Sequence, residues 1–276
     1  TTYNDISPRI GFSLRLSDSP AVMLRGGYGI YYDRISGDLA ETTVGQPPFS
    51  FKQSLAGAQN GAATLQQPYN PMLPPTSSFP IFIPRVPGGG LSLAAISPRL
   101  KDPYTQQYNL NVQAEVAPNL LFEIGYVGAK STHLTGCVEF NQALLASPEH
   151  PIGGVTTNTF DNVVQRLSIE GIAPGSYICQ TTFNASYNSL QTSVTRRLMR
   201  GLEFLGSYTW SKELNVTSDP GALSNFEIGF VTNDQLNPRQ ARGVGNFDRA
   251  NRGVLSLVYT TPHPRMNSVI VRQALS

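Results

Sequence analysis

In run after run along this chain, side chains alternate in character with a period of two. That is the pattern of β-strands, in which neighbouring residues point to opposite faces of a sheet. In RIGFSLRL, Ile10, Phe12, Leu14 and Leu16 share one face, and Arg9, Gly11, Ser13 and Arg15 share the other. After the turn Ser17-Asp18-Ser19-Pro20, AVMLRGGYGIYYDR sets Val22, Leu24, Tyr28, Ile30 and Tyr32 against Arg25, Gly27, Gly29 and Asp33. Two alternating runs joined by a tight polar turn predict a hairpin.

The unit recurs twice. YTQQYNLNVQAEV sets Tyr108, Leu110, Val112, Ala114 and Val116 against Gln107, Asn109, Asn111, Gln113 and Glu115. It turns at Ala117-Pro118-Asn119 and returns as LLFEIGYVG, with Leu120, Phe122, Ile124 and Tyr126 against Glu123 and Gly125. YNSLQTSVTRRL carries Leu190, Val194 and Leu198 on one face and turns at Met199-Arg200-Gly201. LEFLGSYTWSK follows, with Leu202, Phe204, Tyr208 and Trp210 against Glu203, Ser207, Thr209 and Ser211. A seventh strand is predicted over Asn251 to Thr260 and an eighth in SVIVRQAL.

The connections alternate between short and long. The turns within hairpins are short, while the links Arg34 to Pro103, Gly128 to Ser186 and Lys212 to Ala250 are long. Structureless loops beyond about 15 residues are uncommon in compact soluble domains. Short periplasmic turns alternating with long extracellular loops are expected of a transmembrane β-barrel. The runs also reach the roughly 9–11 residues that a tilted spanning strand needs. Aromatic residues cluster toward the long-link ends of the strands: Tyr28, Tyr31, Tyr32, Tyr104, Tyr108, Tyr126, Tyr187, Tyr208 and Trp210, with Tyr259 an exception. Such rings favour a membrane–water interface.

Composition now becomes useful. Only 14% of the 276 residues are charged, while 40% are hydrophobic. Mean hydropathy is −0.17. A chain poor in charge yet not greasy suits a wall with one lipid face and one polar face. The 25 glycines and 21 prolines point to many turns. No run approaches the roughly 18–20 apolar residues of a membrane helix. Net charge is +2 with no basic block, so no footprint for nucleic acid is visible. The chain starts in mid-pattern at Thr1, so a piece of a longer exported protein is the simplest account, and a missing signal peptide then says nothing.

The quoted segments also resemble a known family. SPRIGFSLRL, VMLRGGYGIYYDR, DPYTQQYNLNVQAEVAPNLLFEIGYVGAKSTHL, YNSLQTSVTRRLMRGLEFLGSYTWSK and GNFDRANRGVLSLVY resemble barrel strands of TonB-dependent-receptor-like outer-membrane proteins of the Oar-like group, which carry a carboxypeptidase-regulatory-like domain. The resemblance covers most strands and is weak in the long loops and after Pro262. It implies that residues 1–276 are a partial, C-terminal barrel segment of about 7–8 strands, with no plug domain, from a barrel of about 22 strands with a plugged lumen. It further implies a cell outer-membrane location, a TonB-type energy transducer acting through the missing plug, and an extracellular ligand of unknown identity. Outer-membrane lipid is the remaining expected partner.

No catalytic, cofactor or metal residues are expected, and no enzyme. His133, His150 and His263 fall in predicted loops or turns, none at metal-ligand spacing from another. Ser207 in LGSYT lacks the second glycine of a nucleophile elbow. Gly27-Tyr28-Gly29 lacks the later glycine of a dinucleotide fingerprint. Glu115 and Glu123 share one side of a hairpin, where lumen-wall polarity is expected rather than acid–base work. Arg196 has the lipid-facing parity but lies close to a turn, where a charge can reach headgroups. Cys137 and Cys179 could form one disulfide in an oxidising compartment or remain two unrelated thiols. The proline-dense QPYNPMLPPTSSFPIFIPRVPGGG suits a gate, a ligand loop or a stiff cover. Phe79, Phe82 and Phe226 could touch ligand or pack among their own loops.

Three functions are consistent with a β-rich chain: ligand import, a surface or adhesion role with the barrel as anchor, and a soluble carbohydrate-active enzyme. The last calls for paired carboxylates in a cleft and polar outer strand faces, and neither is visible. The barrel expectation has a sharp form. Leu110, Val112, Phe122, Ile124, Val194, Phe204 and Leu255 should share the convex outer face of a curved sheet and should not pack into a closed core.

Overall fold

A computed structural model describes residues 5–35, 37, 39–40, 44–45, 92–199, 201–217, 229–231 and 233–261. The predicted eighth strand in SVIVRQAL, the proline-dense loop, His263, Phe79, Phe82 and Phe226 lie outside the described residues.

Seven long strands form one antiparallel meander: β1 (Arg9–Asp18), β2 (Ala21–Tyr32), β4 (Tyr104–Ala117), β5 (Leu120–Glu139), β6 (Tyr177–Met199), β7 (Leu202–Asn215) and β10 (Asn251–Tyr259). Their order in the sheet is their order in the chain, and among the described residues β1 and β10 have one neighbour each, so the sheet is open. Three short strands lie off this path: β3 (Ala94–Ile96), β8 (Gly229–Phe230) and β9 (Gly243–Val244).

The ladder confirms the two-face pattern. Directly opposed residues lie on the same side of a sheet. One row runs Leu14, Leu24, Val112, Ile124, Thr192, Tyr208, Gly253. The next toward the short turns runs Val22, Ala114, Phe122, Val194, Gly206, Leu255. With Leu110 opposite Tyr126, and Phe204 opposite Arg196 and Leu257, all seven test residues share one face. None of them is buried, and Leu255 is 73% exposed. The opposite face carries Ser13, Arg25, Asn111, Gly125, Gln191, Thr209 and Arg252 in one row.

Two local devices fix this register. At the β4–β5 turn Asn119 takes φ 60°, a left-handed conformation that Asn tolerates better than most residues. The Glu115 carboxylate accepts a hydrogen bond from the Asn119 amide (3.2 Å). Glu115 is therefore a turn clamp, opposed by Leu121, while Glu123 lies opposite Gln113. Elsewhere, rings lie across strand glycines. The Tyr108 ring occupies the space a Cβ on Gly128 would take, and the Phe12 ring does so at Gly26. A side chain at either glycine would displace its ring.

Several expectations are corrected. β5 and β6 run 11 and 10 residues farther than the alternation predicted, so the link expected from Gly128 to Ser186 shrinks to residues 140–176. His133 lies inside β5 rather than in a loop, at a break in register between Thr132 and Leu134, with φ 59°. Tyr31 and Tyr187 do not belong to the outward belt. Tyr31 pairs with Thr105, and Tyr187 with Ala129 and Glu213, which puts both on the polar face. The Arg9 guanidinium covers the Tyr31 ring at 4.6 Å.

The buried core is not where a soluble sheet would have it. Leu39, Ala94, Cys137, Val138, Ala146, Cys179, Phe183 and Val231 are the buried hydrophobic residues among those described. All of them lie beyond the long-link ends of the spanning stretches, and the apolar band of the sheet contributes none.

Candidate functional site

The long-link end of the sheet is built as an interlocked crown. β4 stops pairing with β5 at Thr132, and β7 stops pairing with β6 at Ser186, but β5 and β6 continue together to Glu139 and Tyr177. The vacated edges are filled by the long links, and each crosses over to do so. β3, from the link between β2 and β4, pairs in parallel with β6 at Ala94–Tyr177. β8, from the link between β7 and β10, pairs in parallel with β5 at Gly136–Gly229. The crown is thus a four-stranded patch in the order β8-β5-β6-β3.

Each face of this extended hairpin is covered by a different link. Cys137 and Cys179, directly opposed, form a disulfide. Leu39 packs on them, joined by Ile35, Ile96 and Leu100. On the other face Val138 and Phe183 pack with Val231, Val216 and Ala241. Backbone bonds secure the crossings: Ser97 N to Cys179 O (2.9 Å) and Val231 N to Cys137 O (3.1 Å). Burial pushes the hydroxyl of Tyr177, at the outermost end of β6, above its usual pKa.

The link 140–176 is held by two buried polar side chains. The Asn141 side chain, fully buried, donates to Ile169 O and Ile172 O and accepts from Ile169 N. Arg166, 5% exposed, donates to Leu144 O, Thr159 O and Asn162 Oδ1. A buried guanidinium is tolerated only when its donors are satisfied. Here it staples three stretches of one link, and that staple presents Leu145 and Phe160, 92% exposed, to solvent. We expect Arg166→Ala to free this link: proteolytic cutting within 140–176 should accelerate while the strand ladder persists. Cutting at the wild-type rate would mean that the staple holds nothing.

Below the crown the polar face forms a continuous wall. Gln107, Asn109, Asn111, Gln113, Gln191 and Ser193 provide donors and acceptors along β4 and β6, flanked by Arg25 and Arg252. Ser207 lies on this wall opposite Ser193 and Val254. The arrangement suits hydrogen bonding to a polar solute. His150 lies on the exposed part of link 140–176, away from His133 in β5. The sequence missed the crown entirely, and only the pair Cys137 and Cys179 hinted at it.

The outward face carries a belt of tyrosines with amide partners. Tyr28 Oη donates to Gln106 Oε1 (3.1 Å). Tyr126 and Tyr108, with rings 6.2 Å apart, both donate to Asn188 Oδ1. Tyr208 donates to Asn251 Oδ1 (2.6 Å). An apolar ring with a tied hydroxyl suits the boundary between hydrocarbon and headgroups. Tyr259 pairs with Leu202 beside the β6–β7 turn, on the outward face. It therefore sits where the second girdle of a barrel belongs.

The family model described as an outer membrane beta barrel domain matches residues 1–276. Among curated proteins, none matches the chain. The chain belongs to this outer-membrane β-barrel family, and its place is the bacterial outer membrane. By the rule of such barrels the short turns face the periplasm and the crown faces outside.

Proposed function

We propose that this segment forms part of the barrel of a TonB-dependent-receptor-like, Oar-like transporter, which binds an extracellular ligand and passes it inward. The observation that carries this reading is the open seven-strand sheet: β1 and β10 each lack a second neighbour among the described residues. Seven long strands that form an open sheet under an interlocked crown suit a wide barrel better than a small closed one. In this reading the amide- and arginine-lined wall meets the ligand, the crown governs entry, and no residue of this segment performs chemistry. Plug and transducer belong to the rest of the machine.

A second reading is favoured by Phe160 and Leu145, apolar groups held outward on the stapled link. Here the barrel is an anchor and the crown an adhesive surface. The full-length protein, purified in detergent, separates the two when mixed with the periplasmic domain of the host's TonB-type transducer. A complex that co-elutes supports import. No complex, with the barrel intact, removes import and leaves the anchor.

A further inference from the structure

Carboxylates on the long strands are confined to one face of the sheet, while cations occur on both. On the outward face of the seven long strands, every formally charged side chain between the turns and the crown is a cation: Lys130, Lys212 and Arg196. The carboxylates Glu115, Glu123, Glu203 and Glu213 have the opposite parity and belong to the wall. Lys130 lies one register row beyond Tyr108, opposite Gln106 and Ser186, and Lys212 lies opposite Asn188. Arg242 joins them by donating from Nη2 to Ser186 Oγ (2.8 Å). Lys130, Lys212 and Arg242 are exposed, and among the described residues none of these three enters an ion pair.

Directly beneath them runs a groove of about 360 Å³, lined by Tyr126, Asn188, Leu190, Trp210 and Lys212. Its floor is two aromatic rings and a leucine, and its upper rim is an ammonium beside an amide. That order, apolar below and cationic above, continues the order of the bilayer itself at the outer boundary.

We propose that this groove and its rim are a binding site for one acylated lipid with a net-negative phosphate headgroup in the outer leaflet. One acyl chain lies between Tyr126, Leu190 and Trp210, and Lys130, Lys212 and Arg242 hold the phosphate. Two features distinguish this from a general affinity for membrane: Lys212 lines the groove while Lys130 and Arg242 flank Ser186 in the register row above it, and no outward carboxylate of the long strands competes with the phosphate for them. The site rests on the outward orientation of this face and is independent of whether the barrel imports anything.

The test uses the full-length protein in detergent, titrated with phosphatidylglycerol brominated on its acyl chains and, separately, with phosphatidylcholine of the same chains. Bromine quenches a nearby indole, and the quenching lost in W210F reports this groove alone. We expect the anionic lipid to quench Trp210 at much lower concentration than the zwitterionic one. The triple variant K130Q/K212Q/R242Q should lose that preference by roughly a hundred-fold, from about five-fold per cation at a membrane surface. Equal quenching by both lipids in the wild type, or an undiminished preference in the triple variant, overturns the site. Heat-modifiable gel mobility checks that each variant assembles. Should the triple variant fail that check, K212Q alone is expected to lose about five-fold, and an unchanged preference there overturns the site equally.

Discussion

Replacing Cys137 and Cys179 together by serine is expected to loosen the crown while the spanning strands stay folded. The two residues are 42 apart in sequence, and a cross-link of that span contributes about 2–4 kcal/mol, chiefly by restricting the opened chain. The short strands that edge the crown add little. Its covering elements, β3 and β8, have three and two residues, so their ladders alone are marginal. The apolar cover on the disulfide face, Leu39 with Ile35, Ile96 and Leu100, packs with the two cysteines themselves. Removing the bond therefore weakens the hairpin and the surface on which the first link rests. Hydrogen exchange on the full-length protein measures this directly. Amides of 134–139 and 177–183 should exchange faster by on the order of 10²-fold or more, since about 1.4 kcal/mol is one decade. Amides of 120–128 and 188–196 should not change. Uniform protection in both regions would show that packing holds the crown without the bond. A rise in all four regions would show that the crown and the spanning sheet unfold as one unit.

The same contrast explains what was legible beforehand. From Tyr108 to Glu115 one face is apolar and the other polar, so parity can be read residue by residue, and the ladder agrees. Beyond Lys130 the logic changes. Cys137 and Val138 are neighbours in sequence, on opposite faces, and both are buried, because the first link covers one face and the last link the other. A strand buried on both sides has no polar alternate. The register also shifts between Thr132 and Leu134 and again between Leu134 and Gly136, which breaks whatever period remains. β3, β8 and β9 are too short to show a period at all. Tyr31 and Tyr187 went astray for another reason: nearness to a long link reports depth, while only register reports face. The lipid groove was invisible because it unites Tyr126, Leu190 and Trp210 from three strands. The ligand stays unnamed because a wall of Asn, Gln and Ser offers hydrogen bonds to many polar solutes.

Ile124→Arg and Gln191→Arg introduce the same charge at nearly the same place, and they are expected to differ greatly in cost. Ile124 faces outward, opposite Val112 and Thr192, about midway between the turn at Leu120 and the cationic rim at Lys130. Gln191 lies opposite Gly125, one position along the ladder and on the other face. If the outward face meets hydrocarbon, arginine at position 124 costs about 2–4 kcal/mol at the bilayer midplane, where neither headgroup layer is within easy reach. Arginine at 191 joins a wall that already carries Arg25 and Arg252 in the same row and should cost within about 0.5 kcal/mol. Refolding the full-length variants into lipid vesicles and titrating with denaturant reads both values. Because side chains alternate with a period of two, a slip of one residue would exchange the two results. Reversal would therefore mean that the faces are assigned backwards. Equal small costs would mean that neither face meets hydrocarbon and that the apolar band lies against water, since a protein cover would also penalise a buried arginine. Only a large cost at 124 with a small one at 191 is consistent with a sheet whose exposed apolar band is its membrane surface and whose core lies outside it, in the crown.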